Sequence, residues 1–221
     1  MGLRPDGEAP ARLAPAAVGE RTPLGAAVQT IPFWQLGGAL FGCGFSMSLI
    51  ASHGVPMLTD HGYHPMMASW GLAVLGASSM AGAVVLGVVG DRFGRRPVLA
   101  WLYGSRMLLF AGLFFVRDSS TALLLVALLG GTSVSGTLAL GSALAADIFG
   151  RYSVGSVFGT IFLFHQVGAS LGSWLGGLLF ELTGGYGAGF TVCCVQLGLA
   201  SLLSLAIDAR PCPARLAVAE R

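Results

Sequence analysis

Six long apolar runs dominate the sequence, and short polar segments separate them. A helix needs about 20 predominantly apolar residues to cross the hydrocarbon core of a bilayer. The runs reach this length and predict six transmembrane helices, over residues 33–57, 66–90, 98–116, 122–146, 157–182 and 188–207. The predicted fold class is therefore an all-α membrane protein with six transmembrane helices.

Polar segments flank the apolar region on both sides. Residues 1–30 contain Pro, Ala and Arg without sustained periodicity, which predicts a disordered cytoplasmic leader. The first apolar run starts only near Phe33, so no cleaved secretory signal is apparent. The sequence thus divides into a leader over 1–30, a six-helix transmembrane domain over 31–208 and a cytoplasmic tail over 209–221.

Composition and charge agree with a membrane protein. The chain is 54% hydrophobic and only 10% charged, whereas soluble domains average about 25% charged residues. Placing the N-terminus inside leaves Arg117 as the one arginine in an outer segment, and the positive-inside rule favours that orientation. The absence of lysine, with abundant Ala, Gly and Leu, indicates a GC-rich bacterial genome. We expect an integral protein of the bacterial inner membrane with both termini in the cytoplasm.

A charged hinge joins the second and third apolar runs. It contains Asp91, Arg92, Arg95 and Arg96, with the helix-breaking Gly94 among them. A positive-inside stop signal between two spans would account for the arginines, but not for Asp91 or for the glycines. The positive-inside rule alone therefore does not explain the residues of the hinge.

The spacing G-x-x-x-D-R-x-G-R-R, which starts at Gly87, resembles the signature loop of the major facilitator superfamily of secondary transporters. Residues 30–208 resemble one complete six-helix half of that fold, most closely the C-terminal half. Residues 164–168 and 173–177 resemble the oxalate/formate antiporter and monocarboxylate carrier branch. The resemblance implies a secondary active transporter that moves a small solute, such as an organic anion or monocarboxylate, by alternating access.

The same resemblance implies partners. In this family the substrate cavity lies between two six-helix halves, so we expect the lipid bilayer, a small-molecule substrate and a second half, either in a homodimer or as a separate chain. The alternative is a truncated half-transporter that no longer transports or serves as an assembly partner. An enzyme is not expected, because no H-E-x-x-H motif is present and the acidic residues Asp147 and Glu181 lie at opposite faces of the membrane. No cofactor, metal site or nucleic-acid partner is predicted.

The hinge residues are candidates for a gate. The resemblance implies that Asp91 faces a helix end and that the arginines pair with an acid on a neighbouring helix, for which Asp147 is the natural partner of Arg95 or Arg96. The alternative is a solvated interfacial ion pair worth about 0–1 kcal/mol. The proposed gating motif consists of Gly87, Asp91, Arg92, Gly94, Arg95, Arg96 and Asp147.

Four polar residues inside the apolar runs are candidates for substrate or proton binding: Arg106, His165, Gln166 and His53. A buried arginine is costly in lipid, so Arg106 binds an anionic substrate, snorkels to the inner surface, or pairs with Asp147 or Asp91. His165 carries coupling protons or binds a carboxylate; otherwise it is a neutral histidine bonded to a helix neighbour.

Gly168, Gly172 and Gly176 recur every four residues in the fifth run and share one helix face. Small residues at this spacing allow two helix backbones to approach closely in lipid. We expect this face to meet the second half or to border the cavity.

Overall fold

The computed structural model describes residues 18–115, 119–214 and 216–219. Within them the chain forms two short strands and seven helices. These are β1 (Val18–Arg21), α1 (Leu24–Ala27), α2 (Ile31–Asp60), α3 (Pro65–Phe93), α4 (Arg95–Phe115), α5 (Ser120–Phe149), α6 (Gly159–Thr183), α7 (Gly187–Ala206) and β2 (Leu216–Ala219). A 3₁₀ turn and a π-helical turn over residues 151–158 connect α5 to α6.

The six long helices match the six apolar runs, which confirms the all-α prediction. Five helical segments of the described chain are long and apolar enough to cross a membrane, and α4 is not among them. Arg95, Arg96 and Arg106 lower the mean hydropathy of α4. Its packing against α5 and α7 makes it the sixth member of the bundle, as its apolar run predicts. The predicted end of this helix at Val116 lies outside the described residues.

Helices that are distant in sequence pack together in the bundle. Helix α2 packs against α6 and α7, α3 packs against α5, and α4 packs against both α5 and α7. Among the five apolar spans, α2 has the largest buried share. The core of the domain therefore lies around α2, where side chains from four other helices meet.

The glycine face of α6 packs against α2. A Cβ atom on Gly168 would collide with the backbone of Phe41, and one on Gly172 would collide with the backbone of Phe45. The prediction of close backbone approach is therefore correct, but the expected neighbour is wrong, because the face meets a helix of the same domain. Backbone atoms cannot rotate away, so only glycine fits these two positions.

The leader also differs from its prediction over its described part. Residues 18–30 are ordered, whereas the sequence predicts disorder throughout residues 1–30. Strand β1 pairs antiparallel with β2 in the tail, so that Val18 lies opposite Ala219. The buried Thr22 binds the end of α5 and the 3₁₀ turn that follows it: its N–H donates to Ser153 Oγ at 2.6 Å and its hydroxyl donates to the Phe149 carbonyl at 2.7 Å. These tertiary contacts supply order that local sequence pattern does not encode.

The two ends of the bundle differ in charge. We call the end that contains the charged hinge, the β1–β2 pair and the start of the 3₁₀ turn the hinge end, and the opposite end the loop end. The tail is attached at the hinge end, because the Cys212 N–H donates to the Ile148 carbonyl at 2.8 Å. Six arginines of the described chain lie at the hinge end, namely Arg21, Arg92, Arg95, Arg96, Arg151 and Arg210.

Candidate functional site

The charged hinge brings the ends of three helices together. Arg95 lies at the start of α4 and contacts two carboxylates: its Nη2 is 2.9 Å from Asp91 Oδ1, and its Nη1 is 2.6 Å from Asp147 Oδ1. The same Nη1 donates to the Ala143 carbonyl of α5 at 2.9 Å. Of the two arginines considered as partners of Asp147, Arg95 makes the contact. The guanidinium thereby connects α3, α4 and α5.

The electrostatics of this cluster favour the charged form of Arg95. Partial burial tends to lower its pKa, but the hydrogen bonds and charges of Asp91 and Asp147 outweigh this effect and raise the pKa above its usual range. The side chains remain accessible, since Arg95 is 27% and Asp147 is 49% exposed. An ion pair this exposed contributes little to folding. It can form and break at small cost, as a gate requires.

Two glycines of the hinge have distinct structural roles. Gly94 has φ +91, a conformation that side chains rarely adopt, and it turns the chain from α3 into α4 so that Asp91 and Arg95 face each other. A Cβ on Gly90 would collide with the Leu140 side chain of α5, so Gly90 permits the contact between α3 and α5. A Cβ on Gly87 would meet nothing within 4 Å.

The two remaining hinge arginines lie outside this cluster. Arg92 and Arg96 are exposed, and neither lies within 4.0 Å of a carboxylate among the described residues. The Arg92 guanidinium lies 5.9 Å from the ring centre of Phe93. The structure thus brings Asp91, Arg95 and Asp147 together and leaves Arg92 and Arg96 available to lipid headgroups or solvent.

Arg106 is buried in the middle of the bundle and is only 1% exposed. Its Nη2 donates to the Ser133 carbonyl, to the Val134 carbonyl at 3.3 Å and to Thr137 Oγ1 at 3.3 Å. Its Nη1 donates to Cys43 Sγ at 3.3 Å. Because the side chain is buried among three helices, the snorkelling alternative is wrong.

Pairing of Arg106 with a hinge carboxylate is wrong as well. Both Asp91 and Asp147 contact Arg95, and no described carboxylate lies within 4.0 Å of Arg106. The partners of this guanidinium are hydroxyl groups, carbonyl groups and one sulfur. Binding of an anion by Arg106 stays a prediction.

A pocket of about 200 Å³ extends from Arg106 towards the loop end. It lies between α2, α3, α4 and α5, and its lining is almost entirely apolar. The residues that form it include Met47, Gly54, Gly71, Leu75, Phe110, Leu123 and Val134. Arg106 is the one charged side chain among the lining residues, so the pocket combines an apolar wall with a single cation.

His165 and Gln166 lie side by side on α6 and have different surroundings. His165 is buried; its Nδ1 is 3.1 Å from Gln166 Oε1, and its ring stacks on Phe162 with centres 5.0 Å apart. Its Nε2 is buried without a hydrogen-bond partner among the described residues, although the ring interacts electrostatically with Cys43. Gln166 is exposed on the outer face of the bundle.

His53 lies apart from the other candidates. It is ten residues beyond Cys43 on α2, which corresponds to about 15 Å along the helix axis. Its ring packs beside Gly176 of α6, where a Cβ atom would lie 2.8 Å from His53 Cε1, and it is 6.4 Å from the ring centre of Tyr186. These contacts fill the space that the glycine leaves, and a role of His53 in substrate or proton binding stays a prediction.

Several residues of the Arg106 site were missed by sequence reasoning. Because Cys43 lies in an apolar run, the sequence indicates a small core residue. Its sulfur nevertheless contacts both Arg106 and Thr137, the latter at 3.3 Å. Ser133 and Thr137 both bind Arg106 from one face of α5. Their i, i+4 spacing opposite a buried arginine is the signal that could have identified them.

Comparison with known proteins places the chain in a family. The family model of the Major Facilitator Superfamily matches residues 36–221. The chain is 32% identical over 181 residues to an uncharacterized MFS-type transporter of Bacillus subtilis, covering 75% of this chain and 41% of that protein. It is 34% identical over 127 residues to an uncharacterized MFS-type transporter of Schizosaccharomyces pombe, covering 57% and 28%.

A third relative, monocarboxylate transporter 13 of Rattus norvegicus, is 29% identical over 141 residues, covering 63% of this chain and 33% of the rat protein. The chain therefore spans less than half the length of each of these relatives. The family match begins five residues into α2 and covers the rest of the helical bundle, including the hinge and Arg106, and it agrees with the observed six-helix architecture. This integral membrane protein belongs to the Major Facilitator Superfamily, whose members are transporters and not enzymes.

Proposed function

We propose that the chain is one six-helix half of a secondary transporter that moves a small organic anion by alternating access. The observation that carries the proposal is the buried Arg106, which is one of the residues lining the pocket and has no carboxylate partner among the described residues. A buried charge is retained only where it is paired or hydrogen-bonded. A substrate carboxylate would supply the missing negative charge.

The pocket limits the size and chemistry of the substrate. Its volume of about 200 Å³ is below the usual range for small-molecule sites, about 300–1,000 Å³. An apolar wall with one cation fits a small monocarboxylate with a hydrocarbon body. The name of the rat relative, a monocarboxylate transporter, points to the same class of solute.

The hinge supplies the proposed gate. Arg95 holds the ends of α3, α4 and α5 together through Asp91 and Asp147. We infer that this contact stabilises one state of the alternating-access cycle and breaks in the other. The arginines at the hinge end favour a cytoplasmic location for that end and for both termini, because basic residues accumulate on the cytoplasmic side.

The proposed functional form contains a second six-helix unit, supplied by another copy of this chain or by a separate one. The outer face of α2 and α6 carries polar side chains among its exposed apolar ones. Gln166 is exposed there, and Ser173 Oγ lies 2.5 Å from Ser48 Oγ and 2.6 Å from Ser52 Oγ. Polar groups in hydrocarbon are costly, so this face suits a second unit or an aqueous cavity. Crosslinking in native membranes tests the association, and uptake by a strictly monomeric species in liposomes would refute it.

Uptake of radiolabelled lactate by cells that express the protein tests the substrate class. Loss of a charge-assisted hydrogen bond costs about 1.5–3 kcal/mol, so Arg106→Gln should reduce uptake by about 10- to 150-fold at equal protein level. Arg210→Gln is the matched control, because Arg210 is exposed in the tail, and it should leave uptake unchanged. Full lactate uptake by Arg106→Gln would contradict the proposal. Absence of uptake by the unaltered protein would favour a fragment that keeps the fold without transport.

A further inference from the structure

Helices in the bundle meet in two different ways, and the glycines distinguish them. Between α2 and α6 the contact is backbone against backbone: a Cβ atom on Gly44 would collide with the carbonyl group of His165, and the contacts of Gly168 and Gly172 are also with backbone atoms. Such close approach stabilises helix pairs in lipid through van der Waals contact. Because backbone atoms cannot rotate away, α2 and α6 cannot slide past each other without separating first.

Helices α3 and α5 pack in the same way. A Cβ atom on Gly82 of α3 would collide with the backbone of Thr132, and one on Gly131 of α5 would collide with the carbonyl oxygen of Leu75. These contacts come from glycines on both helices, so the two helices interlock. We call these two helices the α3–α5 pair.

Helices α7 and α4 join α2 and α6 in a second unit. A Cβ atom on Gly42 of α2 would lie 3.1 Å from the carbonyl oxygen of Gln196 of α7, which is again a backbone contact. The hydroxyl of Ser201 of α7 donates to the Ala100 carbonyl of α4 at 2.8 Å. We call α2, α4, α6 and α7 the four-helix unit.

The boundary between the α3–α5 pair and the four-helix unit, which we call the seam, has looser packing. The nearest atoms that glycine Cβ groups would meet across it are side-chain atoms at 3.4–4.0 Å, an ordinary van der Waals distance. For example, a Cβ atom on Gly54 would find Leu72 at 3.5 Å, and one on Gly141 would find Leu40 at 3.8 Å. The pocket also lies in the seam, since its walls come from α2 and α4 on one side and from α3 and α5 on the other. Side chains can change rotamer, so the seam can open while each unit stays intact.

Two arginines hold the seam closed. In the middle of the bundle, Arg106 of the four-helix unit donates to Ser133 and Thr137 of the α3–α5 pair. At the hinge end, Arg95 binds Asp91 and Asp147, which both belong to the α3–α5 pair. The direct chain connection through residue 94 lies at the same end. The hinge end of the seam is therefore the natural pivot.

The burial of Arg106 requires a movement of this kind. Its side chain is only 1% exposed, although it is one of the residues that line the pocket. A solute anion therefore cannot reach the guanidinium in the conformation described. The pocket extends from Arg106 towards the loop end, so an opening of the seam at that end would lead to Arg106 by the shortest route.

We propose that the α3–α5 pair moves as a rigid unit against the four-helix unit, that it pivots at the hinge end, and that the seam opens at the loop end. Arg106 holds the seam closed through its hydrogen bonds to α5. The last part of the inference rests on the proposed anion transport: a substrate carboxylate that pairs with Arg106 replaces these hydrogen bonds and releases the α3–α5 pair.

Distances between two spin labels, measured by double electron–electron resonance in lipid nanodiscs, test the two units. The test protein is the full chain with Cys43→Ser and with Cys193, Cys194 and Cys212 replaced by alanine. Labels replace exposed side chains near the loop end. Leu125 of α5 and Leu182 of α6 span the seam, whereas Trp70 of α3 and Leu125 lie within the α3–α5 pair.

We expect Arg106→Gln to lengthen or broaden the Leu125–Leu182 distance by about 2 Å or more and to leave the Trp70–Leu125 distance unchanged. Circular dichroism verifies the helix content of each variant. If Arg106→Gln changes both distances equally, or changes neither, the rigid movement of the α3–α5 pair is overturned.

The packing within the α3–α5 pair has a second test that does not depend on Arg106. Gly131→Ala should lengthen the Trp70–Leu125 distance, because the new methyl group would collide with the backbone of α3. Gly130→Ala is the matched control, since a Cβ atom there would find its nearest neighbour, Leu109, at 4.0 Å. Equal distances in the two variants would show that α3 and α5 do not interlock.

Titration with lactate tests the release of the α3–α5 pair separately. Saturating lactate should lengthen the Leu125–Leu182 distance in the protein with Arg106 intact. If lactate uptake depends on Arg106 but lactate leaves this distance unchanged, the release by substrate is overturned while the proposed function stands. If uptake does not depend on Arg106, the proposed function fails, and the distances in the substrate-free variants alone decide whether the seam exists.

Discussion

The contact between α2 and α6 offers a quantitative test of the packing, through Gly172→Ala. A methyl group at this position would meet the backbone of Phe45, with the Cα atom at 3.0 Å and the carbonyl carbon at 3.1 Å. Non-bonded carbon atoms prefer separations of about 3.5–4.0 Å. The two helices must therefore move apart by about 0.5–1 Å, and the neighbouring close contact of Gly168 with Phe41 would weaken as well.

The matched control is Gly177→Ala on the same helix. A methyl group there would find His53 Nε2 at 3.7 Å as its nearest neighbour, which is an ordinary van der Waals contact. Both variants gain the same helix propensity, up to about 1 kcal/mol, so their difference isolates the steric term. Overpacking costs about 1–3 kcal/mol, and we expect Gly172→Ala to be less stable than Gly177→Ala by that amount.

The assay is unfolding of the purified protein by sodium dodecyl sulfate in mixed micelles, followed by circular dichroism. A difference of about 1–3 kcal/mol corresponds to a change of about 5- to 150-fold in the unfolding equilibrium constant. The unaltered protein fixes the reference midpoint. If Gly172→Ala unfolds at the same midpoint as Gly177→Ala or at a higher one, the close approach of α2 and α6 does not exist as described.

Three further predictions concern the gate, the topology and the leader. Asp147→Asn should lower transport by about tenfold or more while changing stability by no more than about 1 kcal/mol; Asp208→Asn, which removes the exposed partner of Arg210 at 3.7 Å, should change neither, and normal transport by Asp147→Asn would rule out the gate. Reporter fusions after Arg96 and after Arg221 should both report the cytoplasm, and a periplasmic signal at either position would reverse the assigned orientation. Thr22→Ala should cost about 0.5–1.5 kcal/mol and speed trypsin cleavage after Arg21, whereas Thr30→Ala, whose hydroxyl bonds the Ala27 carbonyl one turn away, should not; equal cleavage of the two variants would show that Thr22 does not hold the leader.

Much of the fold was predictable because its signals are local. The ends of the predicted helices lie within three residues of the observed ones, since the length of an apolar run and the polar residues beside it determine where a span ends. The Asp91–Arg95 contact is local as well: the residues are four apart, and Gly94 provides the turn between α3 and α4.

The features that sequence reasoning missed depend on contacts between helices. The partners of Arg106 come from two other helices. The partner on α2 is 63 residues away along the chain, and those on α5 are 27 or more residues away. No pattern within α4 indicates whether its arginine meets a carboxylate, a hydroxyl or a thiol. The spacing of Gly168 and Gly172 predicts a close approach correctly, but spacing does not identify the helix that approaches. The order of residues 18–30 likewise depends on Ser153 and Phe149, which are far from Thr22 in sequence.

The pairing of β1 with β2 has a consequence for how the domain opens. Val18 lies opposite Ala219. The β1–β2 pair therefore joins the segments that precede and follow the six-helix bundle at one place. Force applied to the two ends would act on four residue pairs of this small ribbon before it reached any helix. The segments next to these strands also bind the end of α5, since Thr22 donates a hydrogen bond to the Phe149 carbonyl and the Cys212 N–H donates to the Ile148 carbonyl. Asp147 directly precedes Ile148, so a force that opened the β1–β2 pair would next act on the part of α5 that carries the ion pair with Arg95.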